Sequence, residues 1–126
     1  VALRLAERKH AIVADCRLLA PTLLRSQVLS WLYNDVHLGT ISRKDADRRL
    51  AYLRGLKIRL LGDRSLQQTA WKIADRFHWP DTFVAEYIAL TQLQADAFIT
   101  LDADLARTVE GAVHVASIDA LFRAGG

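Results

Sequence analysis

The sequence is short of several things, and each shortage excludes something. A single cysteine, Cys16, rules out an internal disulfide and fits a reducing compartment, so a cytoplasmic location is expected. In the stretch ADCRLLAP that cysteine reads as a small apolar filler. Two prolines and six glycines, two of them at the very end, leave no linker or low-complexity tract in the 126 residues. The longest apolar runs fall well below the roughly 18 residues a membrane span needs. No basic start followed by an apolar block and a small-residue cleavage site is visible. The first residue is Val1 and not Met, so further residues are expected upstream.

What is present describes one globular domain. A 52% apolar, 25% charged composition argues against disorder. At this length about 68% of the unfolded surface can be buried, enough for a proper core. The formal charge is +3, and arginines outnumber lysines 13 to 4. Arginine suits bidentate phosphate contact better than lysine, which gives a nucleic-acid partner some weight against the plainer reading of a solvated basic surface.

Periodicity predicts helices alternating with short strands. A short helix is expected over 2–9 and a strand over 17–21, stopped by Pro21. Residues 22–34 read as a helix with Thr22 as its cap and Leu24, Val28, Trp31 and Leu32 on one face. Residues 42–54 read as another, with Ser42 as cap, Ala46, Leu50 and Leu53 as the stripe, and Gly55 as the stop. A strand over 57–61 leads through Gly62-Asp63 into a helix over 64–77, whose inner face is Leu66, Ala70, Ile73, Ala74 and Phe77. HWPD breaks that helix, and the next, 82–94, is apolar on nearly all sides and so expected to be buried. A strand over 97–100, a helix over 103–109, a strand over 113–117 and the segment IDALFRA complete the chain. This order predicts an α/β fold with a largely parallel sheet, in which sites lie beyond the carboxyl ends of the strands.

Several chemistries have no foothold. There is no glycine-rich dinucleotide or phosphate loop and no G-x-S-x-G. The four histidines, His10, His37, His78 and His114, are scattered without zinc spacing. Acids remain. Asp102 and Asp104 stand where the buried strand AFIT ends and a helix begins. Two readings are open for them. Asp102 can cap that helix while Asp104 favours its first turn through the macrodipole. Alternatively the two carboxylates can hold a hard cation such as Mg2+ or Mn2+.

TLDADLAR, preceded by AEYIALTQLQADAFI, resembles the C-terminal half of PIN domains, especially the toxin ribonucleases of the VapC type. APTLLRSQVLSWL is similar to the helix after their second strand, and the likeness runs in order along essentially the whole chain. The resemblance implies a PIN-like three-layer fold over 1–126, with a mostly parallel central sheet flanked by helices and the first strand, with its Asp, absent from these residues. It also implies a metal-dependent endoribonuclease in which clustered acids bind Mg2+ or Mn2+ at the carboxyl end of the sheet.

Position by position, the acids of that family are partly replaced. Asp102 matches one, and Asp104 the accessory acid two residues on. The helical Glu falls on Gln27, which offers an uncharged carbonyl oxygen. The Asp before Ala-x-Tyr falls on Val84, which cannot bind metal. Asp81, three residues earlier on the same helix side, is the expected substitute, although in WPDT it is equally well placed as an N-cap. Glu86 points to another side and is expected to pair with an arginine or line the cleft rim.

On this reading the catalytic and metal-binding acids are Asp102, Asp104 and Asp81, with Gln27 and Glu86 lining the site. The partners are an RNA substrate, held by arginines, and a cognate antitoxin in a type II toxin–antitoxin pair. Trp31, Tyr33 and Leu53 are candidates for the antitoxin groove, against the plainer reading of ordinary core. A homodimer is implied as well, with no membrane. The alternative is a degenerate PIN-fold module that binds RNA or a partner protein without cutting, supported by Gln27 and Val84. Outside the resemblance stands a small α/β interaction domain in which every acid is a cap.

Overall fold

The computed structural model describes residues 1, 2, 4, 5, 12 and 16–122. The helix expected over 2–9 and the last residues of IDALFRA lie mostly outside them. Among the described residues the order is β1 (Leu19–Pro21), α1 (Leu23–His37), α2 (Arg43–Gly55), β2 (Arg59–Leu61), α3 (Arg64–Phe77), α4 (Phe83–Gln94), β3 (Phe98–Ile99), α5 (Ala103–Val109) and β4 (Val115–Ala116), followed by a 3-10 turn at Ile118–Leu121. The fold is mixed α/β. Its strands form two separate parallel pairs, β1 with β2 and β3 with β4, in place of the single sheet expected. No described helix is long and apolar enough to cross a membrane.

Both pairs are joined by helical crossovers, which parallel neighbours require. Leu19, Ala20 and Pro21 lie opposite Arg59, Leu60 and Leu61. Pro21 has no N–H to give, and the ladder continues through Thr22, whose N–H donates to Leu61 O (3.2 Å). All four strands are shorter than expected: three paired residues in β1 and β2 and two in β3 and β4. The apolar stretches continue past the residues that pair, so they mark a wider span than the ladder.

α3 and α4 pack against each other and form the centre of the core. Leu66, Ala70, Ile73 and Ala74 of α3 meet Ala85, Ile88, Ala89 and Leu90 of α4, joined by Phe98, Val109 and Val113, with Leu19 and Leu61 packed against the group. α4 touches both β1 and β3. It is not buried all round as expected, since Phe83 and Leu93 are about half exposed. A smaller cluster of Val28, Leu32 and Ala46 joins α1 to α2, ringed by Leu24, Val36, Ile41, Leu50 and Leu53. Cys16 is half-buried, with its Sγ 3.8 Å from Ala120 O, consistent with a filler.

The helix ends follow their caps. Ser42 Oγ accepts from Asp45 N–H (3.1 Å), and Asp63 Oδ1 accepts from Leu66 N–H (2.9 Å). α3 ends on His78 in the left-handed conformation (φ 57°), with Trp79 N–H reaching back to Ala74 O (3.0 Å). Two expectations are corrected. Gly55 does not stop α2 but belongs to it, and the chain turns at Lys57 (φ 55°). Thr22 makes no side-chain cap, because its backbone is already in helical conformation (φ −56°, ψ −28°). Its side chain lies beside Gly62 instead. A Cβ at residue 62 would stand 2.8 Å from Thr22 Oγ1, so that close approach requires glycine.

Candidate functional site

The strand β3 delivers the chain to Asp102. Thr100 Oγ1 accepts from Asp102 N–H (3.1 Å), which fixes the bend between strand and helix. Asp102 is the N-cap of α5, its backbone extended (φ −88°, ψ 107°), and its Oδ1 accepts from Asp104 N–H (3.0 Å) and Leu105 N–H (3.1 Å). Its carbonyl begins the helix ladder by accepting from Ala106 N–H (3.0 Å). Asp104 sits in the first turn and forms an exposed ion pair with Arg107. The capping reading is thus realised in full. Both side chains remain exposed at the carboxyl end of a parallel pair, the end at which α/β sheets place their sites.

Asp81 also does helix-end work. Its Oδ1 accepts from Phe83 N–H (3.1 Å) at the start of α4. Thr82 occupies the cap position, and its hydroxyl donates to Glu86 Oε2 (3.2 Å). Glu86 was expected to meet an arginine or the cleft rim, and its observed partner is this threonine one turn back. Val84 packs against the main core.

Gln27 and Tyr87, 60 residues apart, are brought together: the phenol O–H donates to Gln27 Oε1 at 2.8 Å. This bond ties α1 to α4. Burial pushes the Tyr87 phenol up to about 12, and the nearby Glu86 carboxylate adds to the rise. The neutral amide therefore faces a phenol that keeps its proton. Sequence reading misses Tyr87 as a polar partner. The available signal is a tyrosine in an otherwise apolar helix, where a phenylalanine would pack equally well unless the hydroxyl had a partner.

The donor types suit a hard dication, since Asp102 and Asp104 offer carboxylate oxygens. The number is short. Among the described residues no three of His, Cys, Asp and Glu stand in a group that could hold a metal ion. Of the groove candidates, Trp31 and Tyr33 are exposed on α1 but lie about 200° apart around it. Tyr33 stacks on His37, with ring centroids 6.1 Å apart, and Leu53 packs into the small cluster. Compared with protein-family models, curated proteins and solved structures, the chain has no significant match.

Proposed function

We propose that the chain is a PIN-like domain with a three-layer fold, directed at RNA as a metal-dependent endoribonuclease of the toxin type. The observation that carries this reading is the exposed Asp102–Asp104 pair at the carboxyl end of β3, within a stretch that resembles that class. Asp102 and Asp104 are the residues that would hold Mg2+ or Mn2+, with Asp81 as a further acid of the same set. Such an ion supplies an activated water and charge stabilisation at the phosphate. The arginines would hold RNA phosphates. A homodimer, an antitoxin partner and a cytoplasmic setting belong to the same proposal.

A second reading, an RNA- or protein-binding module that does not cut, is favoured by one observation. Gln27 and Tyr87 form a closed neutral pair where the resemblance calls for an acid. Cleavage of single-stranded RNA by the whole protein, with Mn2+ and with chelator, decides between the two. Asp102→Asn is the variant of choice, because asparagine caps a helix about as well as aspartate and removes only the charge. The proposal expects Mn2+-dependent cleavage that falls at least about 100-fold in Asp102→Asn, on the scale of a lost metal ligand or partner. Undiminished cleavage by that variant would remove Asp102 from the site. Binding without cleavage by the native protein would establish the second reading.

A further inference from the structure

The outer face of α3 carries a feature that packing does not explain. Leu66, Ala70, Ile73 and Ala74 face the core, and on the opposite side Trp71 is 68% exposed. A tryptophan has a large apolar surface and gains most when covered. Around it Gln67, Gln68, Trp71 and Lys72 line a shallow open depression. Their spacing explains this: 67 and 71, and 68 and 72, are successive-turn neighbours, with 68 and 71 bridging the two rows. Arg64 lies one turn before Gln68 on the same face. Over 64–76 three cations, Arg64, Lys72 and Arg76, stand against one acid, Asp75.

From this arrangement we infer that the outer face of α3 is a stacking platform for single-stranded nucleic acid. The indole face takes a base. The Gln67 and Gln68 amides, with both donors and an acceptor, suit the polar edges of bases. Lys72 and Arg64 take the flanking phosphates. An apolar partner peptide would find a glutamine-lined rim with little to bury. A single strand finds what such sites consist of, an aromatic plate beside positive charge. The inference rests on the RNA-directed reading above but assigns a different surface, the outer face of α3.

The test measures anisotropy of labelled oligouridine and oligothymidine titrated with the whole protein, at low salt, for the native chain, Trp71→Ala, Trp71→Phe and Leu38→Ala. Trp71→Ala is expected to weaken binding on the order of tenfold, the worth of one base–aromatic stack. Trp71→Phe should recover most of it, and Leu38→Ala, which removes an equally exposed apolar side chain (67%), should bind as the native chain does. Loss with Trp71→Ala on either oligonucleotide upholds the platform, and the ratio of the two affinities reports whether the 2′-hydroxyl is read. Equal binding by Trp71→Ala and the native chain overturns it, as does no binding by the native chain. So does a change in solution mass caused by Trp71→Ala with binding unchanged, which would make this face a self-contact. Stacking without cleavage would leave the platform standing and defeat the nuclease proposal; cleavage by the native chain together with binding indifferent to Trp71 would do the reverse.

Discussion

The α3–α4 pair and the α1–α2 pair use the same kind of helix and bury very different amounts. Around α3 and α4, eleven described residues form one buried cluster, to which β3, α5 and the turn residue Val113 also contribute. Between α1 and α2 only Val28, Leu32 and Ala46 are fully buried. Seven of the thirteen residues of α2 are charged, and its ion pairs, Arg43–Asp47 and Arg48–Asp45, are exposed. Pairs of that kind contribute little to stability. The difference comes from position: α4 has strands and another helix around it, whereas α2 is covered on one side. A helix far from the sheets can therefore spend its remaining faces on solvent and charge.

This contrast can be broken by experiment. Ile88 and Leu32 are both essentially inaccessible, at 0% and 1%. Ile88→Ala is expected to cost about 4 kcal/mol, since its neighbours are held from all sides and cannot collapse into the cavity. Leu32→Ala should cost about 2.5 kcal/mol, because the half-buried ring around it can relax. Urea unfolding of the two variants checks this, and equal losses would show the small cluster to be as rigid as the large one.

Caps give a smaller contrast. Asp63→Ala removes a bonded cap from α3 and should cost about 1 kcal/mol by the same measurement. Thr22→Ala, at the start of α1, removes no cap bond and should cost under about 0.5 kcal/mol.

A pH-dependent contrast belongs to the bond between the two regions. The Tyr87 phenol is raised from 10 to about 12 on folding, so the folded chain holds this proton more tightly than the unfolded one. Its contribution to stability is complete below pH 10 and is lost as pH rises to about 12. The difference in unfolding free energy between the native chain and Tyr87→Phe should therefore shrink across that interval. A difference that stays flat with pH would mean the phenol is not buried against Gln27.

α3 and α5 are readable from sequence to the residue: Gly62-Asp63 turns the chain into α3 with its apolar face repeating at the helical period, and Asp102 caps α5. The strands are readable in place but not in length, since pairing ends where the partner backbone turns away and side-chain alternation carries no record of that. The division into two pairs is likewise not written in any local pattern. At the candidate site, Asp102 and Asp104 can be picked out by their place after an apolar strand. Their duties toward Leu105 and Arg107 follow from helix-end chemistry. The meeting of Gln27 with Tyr87, 60 residues apart, is a long-range event that only the tertiary fold creates. Thr22 shows the opposite limit: its type and place suggest a cap, but its backbone is already helical (φ −56°, ψ −28°), a conformation from which its side chain does not cap.

That same threonine constrains how the chain can vary. An alanine at 62 collides with Thr22 Oγ1 at 2.8 Å and crowds Cγ2 at 3.2 Å, but its distance to Thr22 Cβ is an ordinary 3.6 Å. Trimming residue 22 to alanine clears the two near atoms and leaves only the tolerable one. Gly62→Ala is thus harmful alone and mild beside Thr22→Ala, a coupling that a double-mutant cycle would register as non-additive. In sequences that keep this fold, positions 22 and 62 should change as a pair, and a side chain at 62 should be accompanied by a small residue at 22.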